Sequence, residues 1–245
     1  MDEDRNVTFA IPASAAVVLP GTGSDELFAG AVFAGPLAAV GVNAQLPPPP
    51  PGDRLIPGYF AALDAAAARG PILVGGISFG AHLAAEWAVA NRDRCAGVLA
   101  ALPAWQGAPG DAPASLAARA SADLVRRTGL EATLRASTAG VPHWLADELT
   151  RAWRRHGDDL ADSLLAAACH SAPALSALAT LDVPVGIAAC VDDPVHPAAI
   201  AHAWASALPR AVVVESTLAA LGEDRESLGR AAVLAFLRAQ SATAT

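Results

Sequence analysis

The chain contains no lysine; every one of its cationic side chains apart from histidine is arginine. That absence excludes a phosphate-binding P-loop lysine, a Schiff-base lysine and a Ser-Lys catalytic dyad. Cysteine is scarce as well. Cys95, Cys169 and Cys190 are far apart and form no C-x-x-C pair, so they read as buried free thiols and not as a disulfide framework or a zinc site. Positive charge is outweighed, with a formal net charge of -8, which argues against a nucleic-acid groove. No apolar run reaches the ~18 residues of a membrane span. The start, Met1-Asp2-Glu3-Asp4-Arg5, is acidic and lacks the basic opening of a signal peptide, so a cytoplasmic protein is expected. There is no metal-ligand cluster, no dinucleotide glycine fingerprint and no flavin or haem signature, and no cofactor or metal is expected.

What the chain does contain is apolar mass. Its 245 residues are 53% hydrophobic, which suits one large α/β domain or two small ones. Strand-length apolar runs at 7–11, 15–19, 40–46, 72–75 and 95–102 alternate with helical patterns at 25–39, 59–69 and 78–91. Ser24 or Asp25 is placed to cap the first helix. Five consecutive prolines, 47–51, read as a stiff surface connection, with a recognition segment for a proline-binding domain as the alternative. From 103 to 181 only helical segments occur, at 115–128, 141–156, 158–170 and 172–180. Alternation then resumes, with strands at 183–191 and 211–214 and helices at 197–207 and 224–240. No internal repeat is present. This pattern predicts a mostly parallel sheet flanked by helices, with a helical cap inserted after the strand that follows the 78–91 helix. The expected division is a core of 1–102 and 182–240, a cap or lid of 103–181 and a disordered tail of 241–245.

The chemical signal is Gly76-Ile77-Ser78-Phe79-Gly80. It reads G-x-S-x-G, with Pro71-Ile72-Leu73-Val74-Gly75 before it and the helix formers of Ala81-His82-Leu83-Ala84-Ala85 after it. A serine on such a strand-to-helix turn has its hydroxyl thrust out above the sheet edge, and the helix N-terminus beneath it favours developing negative charge. Two further segments accompany it: Pro20-Gly21-Thr22-Gly23-Ser24-Asp25 after an early strand, and Val191-Asp192-Asp193-Pro194-Val195-His196-Pro197 after the penultimate one.

In this order and spacing the three segments resemble those of the α/β-hydrolase superfamily, over nearly the whole chain. Pro20 stands where the family's H-G-x-G-S oxyanion segment has His, and Pro103-Ala104-Trp105 also looks like capped members. The resemblance implies Ser78 as nucleophile, the Phe79 and Thr22 amides as oxyanion donors, and Asp193 as the acid, with Asp192 as the near alternative. A plain helix N-terminal charge is the other reading of that acidic pair.

The family's histidine, expected after the last strand, is missing. Residues 216–225 contain none, and the last histidine is His202. His196, three residues past Asp193 and expected at the same sheet edge, is the best-placed substitute; an ordinary loop histidine is the alternative. His82, one turn along the elbow helix, reads as a packed, hydrogen-bonded residue. His143 and His170 could reach down from the cap, whereas His156 reads as surface and His202, mid-helix, as surface or partner-facing. Arg126, Arg127, Arg151, Arg154 and Arg155 make the cap locally basic, through either a solvated helix face or attraction for an acidic substrate. Trp105 and Trp144 could line an acyl pocket.

The expected activity is hydrolysis of a small carboxylic ester or thioester through an acyl-enzyme at Ser78, weak on generic short-chain esters because residues 216–225 offer Thr217, Glu223 and Asp224 but no imidazole. The competing expectations are a non-catalytic homologue that binds a small molecule or protein partner, and a lyase or cyclase that uses only the oxyanion hole. The expected partner is a small acyl substrate, with neither nucleic acid nor membrane; homo-oligomerisation is left open.

Overall fold

A computed structural model describes Ile11 and residues 13–242. Among them, six strands form one wholly parallel sheet: β1 (Ala15–Leu19), β2 (Asn43–Gln45), β3 (Ile72–Ile77), β4 (Cys95–Ala101), β5 (Val185–Cys190) and β6 (Ala211–Ser216). Their spatial order is β2-β1-β3-β4-β5-β6. The chain leaves β1 toward β2 on one side and returns to β3 on the other. The carboxyl ends of β1 and β3 therefore flank a topological switch point, where open α/β sheets form their ligand crevice.

The two-residue period of the strands sorts side chains to opposite faces. Val17, Val74, Val98 and Ile187 pack with α2 (Leu55–Ala67), α3 (Phe79–Ala90) and α9 (Ala198–Ala207). Ala16, Leu73, Leu99 and Ala188 pack on the other face with α1 (Glu26–Ala38), α10 (Leu218–Glu223) and α11 (Glu226–Ser241). Between β4 and β5 lie α4 (Pro113–Thr128), α5 (Leu130–Thr138), α6 (His143–His156), α7 (Leu160–Cys169) and the single turn α8 (Leu175–Leu178). The first four share a small core of their own around Ala122, Leu134, Trp153, Leu160 and Leu164. These helices occupy the stretch where the sequence places a cap.

Several expectations need correction. Most of the 7–11 strand lies outside the described residues, and Ile11 is in no strand. The 40–46 strand shrinks to three residues, because 40–42 close the end of α1: the Val40 and Val42 N–H groups donate to the Leu37 carbonyl, and Gly41 turns the chain at φ 76°. A three-residue edge followed by prolines offers little to a foreign strand. Helix α2 begins at Leu55, not 59, and the 172–180 helix reduces to α8. Helices α5 and α10 were not expected. Helix α11 runs through Ser241, into the expected tail. Cys95 and Cys190 are buried, but Cys169, at the end of α7, is exposed. Among the described residues no helix is long and apolar enough to cross a membrane.

Candidate active site

Ser78 sits between the last residue of β3 and the first of α3, with φ 54° and ψ −115°. A side chain in that region is strained, and here the surroundings enforce it. The Ser78 N–H donates to the Ala101 carbonyl at 2.8 Å, which finishes the β3–β4 ladder, while its carbonyl accepts the Ala81 N–H at 2.9 Å and so starts the helix. The flanking glycines allow the tight reversal. A Cβ on Gly76 would lie 2.2 Å from the Gly80 carbonyl carbon, and one on Gly80 would lie 2.2 Å from the Leu19 carbonyl oxygen. Helix α3 therefore rests directly on β3 and on the end of β1.

The segment after β1 reaches the same place. A Cβ on Gly21 would approach the Ser78 Cβ to 3.5 Å, so the Pro20–Asp25 turn lies beside the serine. Gly23 has φ 64°, and the Ser24 N–H closes the turn on the Gly21 carbonyl at 3.1 Å. Among the described residues neither the Thr22 nor the Phe79 amide donates to a carbonyl or a side chain.

The loop after β5 supplies the remaining groups. His196 Nε2 lies 2.9 Å from Ser78 Oγ, and His196 Nδ1 lies 2.8 Å from Asp193 Oδ2. The other Asp193 oxygen accepts the Val195 and His196 N–H groups, at 2.7 and 3.1 Å, which folds the loop into a turn around its own acid. Burial alone would raise the Asp193 carboxyl. The hydrogen bond and charge of His196 and those two amides outweigh it and hold the group below the ordinary value. An ionised Asp193 places the imidazole proton on Nδ1, leaving the Nε2 lone pair to face the serine hydroxyl. Asp192 points elsewhere, accepting the Leu218 N–H at 2.7 Å. Helix α10 stands in the stretch where a family histidine is expected; Thr217 caps it, and Trp144 of α6 packs on its Gly222.

The other histidines are held apart from Ser78. His82 is fully buried and its Nε2 accepts the Ala104 N–H at 2.9 Å. His143 is solvated beside Asp147, and His202 pairs with Glu215 on the surface. His170 hydrogen-bonds Glu86 at 2.6 Å and meets the Phe79 ring edge-on. His156, expected on the surface, instead hydrogen-bonds the Ser24 carbonyl at 3.0 Å. The basic patch is largely consumed by ion pairs: Arg126 with Asp162, Arg151 with Asp25 and Glu148, Arg154 with Glu131, and Arg155 with Glu26. The half-buried Asp25–Arg151 pair carried no sequence signal as a pair, because its partners stand 126 residues apart.

By sequence, no protein-family model and no curated protein matches this chain. By structure it is similar to a thermophilic esterase from Thermogutta terrifontis, at 18% identity over 89% of this chain and 88% of that one, with a TM-score of 0.68. It is similar to MenH from S. aureus at 14% identity, 93% and 94% coverage and a TM-score of 0.70. An enol-lactonase from Burkholderia xenovorans LB400 matches at 18% identity, 92% and 91% coverage and a TM-score of 0.67. At such identities the likeness speaks of fold alone.

Proposed function

We propose that this chain, whose fold is that of the α/β-hydrolases, is a serine hydrolase that cleaves a small carboxylic ester or thioester through an acyl-enzyme at Ser78. The observation that carries the proposal is the hydrogen-bonded row Ser78 Oγ, His196, Asp193, with separations of 2.9 and 2.8 Å. His196 Nε2 takes the serine proton as Oγ attacks the substrate carbonyl. The free Thr22 and Phe79 amides serve the oxyanion of the tetrahedral intermediate, a contribution worth ~100- to 1000-fold per donor. The imidazolium, stabilised by Asp193, returns its proton to the departing alkoxide or thiolate. Water then repeats the sequence on the acyl-enzyme, releasing the acid and restoring the serine.

The non-catalytic reading rests on the lack of a histidine in residues 216–225. An imidazole supplied from the loop after β5 removes that reason and favours turnover. It also removes the premise for expecting slow turnover of generic short-chain esters. Labelling with a fluorophosphonate probe tests the proposal. The intact protein should label, whereas Ser78→Ala should not. His196→Ala should slow both labelling and ester turnover to about the extent of the serine variant, on the order of 10⁴-fold or more, because triad members act as a unit. A His196→Ala protein with undiminished turnover would remove His196 from the reaction.

A further inference from the structure

Two non-glycine residues with positive φ occur among the described residues: Ser78, and Leu102 at φ 52°. They end adjacent parallel strands at the same sheet edge, β3 and β4. The strain at Ser78 is explained by the elbow. That at Leu102 starts the loop Leu102-Pro103-Ala104-Trp105, and something must hold this loop in place.

His82 does so from α3, one turn beyond Ser78. Its Nε2 accepts the Ala104 N–H at 2.9 Å and the Trp105 N–H at 3.4 Å. An imidazole nitrogen that accepts from two amides carries no proton, so the proton is on Nδ1. The ring packs edge-on against Trp105, with centroids 4.4 Å apart, and lies 5.7 Å from the Trp204 ring. Trp204 in turn donates its indole N–H to the Trp105 carbonyl at 3.2 Å. Trp204 belongs to α9, which starts immediately after His196 and Pro197. His82 thus joins the helix that follows the nucleophile to the loop after β4, and the Trp204 indole joins that loop to the helix that follows the base.

A leucine in this place would avoid the buried Nδ1–H, which has no partner among the described residues, but would leave the Ala104 and Trp105 amides without their acceptor. What the imidazole supplies, and an apolar side chain does not, is the acceptor at Nε2. We infer that His82 is a positioning residue for the reaction at Ser78, its Nε2 holding the Ala104-Trp105 amides so that α3 and α9 keep Ser78 and His196 within hydrogen-bond reach. Burial, and then the neighbouring His196 and His170, push the His82 pKa down to about 3, so the acceptor persists across the neutral range.

The inference rests on the triad reading, and the test separates the two. In the full-length chain, the rate of fluorophosphonate labelling and the kcat and KM for a p-nitrophenyl ester are compared among wild type, His82→Leu and His82→Gln. The glutamine carbonyl reaches the place of Nε2 and can accept the same amides. His82→Leu should label about 10- to 100-fold more slowly, the scale expected of a misplacement below an ångström or so. Its kcat should fall with KM little changed, and His82→Gln should recover most of the rate. A folded His82→Leu protein that labels at the wild-type rate overturns the inference, as does an equal loss in both variants. Should His82→Leu fail to fold, His82→Met decides, since its unbranched thioether fills a similar volume and offers the Ala104 and Trp105 amides at most a weak acceptor. A slower rate supports the coupling and an unchanged rate overturns it. A wild type that does not label at all defeats the triad reading instead.

Discussion

Asp193 uses both of its carboxylate oxygens, and the division of labour makes the residue sensitive to a change of one atom. One oxygen accepts the Val195 and His196 amides, and the other accepts from His196 Nδ1. In Asp193→Asn the amide oxygen can still close the turn, but the NH₂ group would face Nδ1 as a donor. The ring must then carry its proton on Nε2, where it cannot accept from Ser78. The variant should keep its fold and lose on the order of 10³- to 10⁴-fold in kcat, as wrong-tautomer triads do; stopped-flow or steady-state ester assays read this directly. His82 yields a second prediction at this scale. Its pKa is about 3 in the folded protein against an ordinary 6.5. Above pH 6.5 both states are neutral and its contribution is intact; below that, the unfolded chain binds a proton that the folded one refuses. Between pH 7 and 5 this should remove about 2 kcal/mol of stability, and urea titrations of His82→Gln should lack that part of the slope. Ser78, Asp193 and His196 were nameable from the sequence because side-chain chemistry and a three-residue spacing suffice to nominate them. The choice between Asp193 and Asp192 was not, because it depends on which way each carboxylate leaves the loop.

At the scale of elements, the parallel sheet and its alternation with helices are legible wherever apolar runs are long. Short elements escape. Helix α5 is marked off from α4 only by Gly129 at φ 83°, and α10 spans six residues with Thr217 as its cap. The pattern Ser216-Thr217-Leu218-Ala219-Ala220-Leu221 carries that cap, but a stretch known mainly for its missing histidine does not announce a helix. Its location gives α10 a purpose: Arg225, just beyond it, lies 4.5 Å over the Trp144 ring, so the segment ties α11 to α6. The elbow is the most constrained junction. A methyl group on Gly76 would land 2.2 Å from the Gly80 carbonyl carbon, backbone against backbone, with no side chain able to yield. Gly76→Ala should therefore lift α3 off β3, destabilise the protein by about 2–3 kcal/mol as overpacking does, and suppress labelling of Ser78 even in the folded fraction. Chemical denaturation and probe labelling on the same sample separate the two effects; unchanged stability would contradict the close packing.

On the scale of the whole molecule, helix α6 is tied by several polar contacts and one ring contact to residues 23–26, at the start of α1. Asp25 caps α1 by accepting the Leu27 and Phe28 amides, and it also takes two hydrogen bonds from Arg151 of α6. His156 reaches the Ser24 carbonyl, Arg155 pairs with Glu26, and the Trp153 ring lies against Gly23. The residues that α6 touches, 23 to 26, fall within four of Thr22, so the position of α6 and the shape of the proposed oxyanion loop are coupled. Burial would raise the Asp25 carboxyl, but the Arg151 hydrogen bond, the Phe28 amide and the charges of Arg151 and Arg155 hold it below 3.8. A depressed carboxylate pKa contributes stability that is fully present above pH 3.8 and is lost as the pH falls through the folded value. Arg151→Met keeps the packing length and removes the charge, leaving a carboxylate that is 1% exposed without its cation. Arg151 itself is about a third exposed, so the loss should be on the order of 2 kcal/mol, less than for a fully buried pair. The deficit should be full at pH 7 and shrink as the pH falls through the folded value and Asp25 takes up its proton. Activity should fall at the same time, through a misplaced Thr22 amide, and more in kcat than in KM. An Arg151→Met protein as stable as wild type at pH 7, or one with a deficit independent of pH, would show that the ion pair does not join α6 to the start of α1 in the way the geometry indicates.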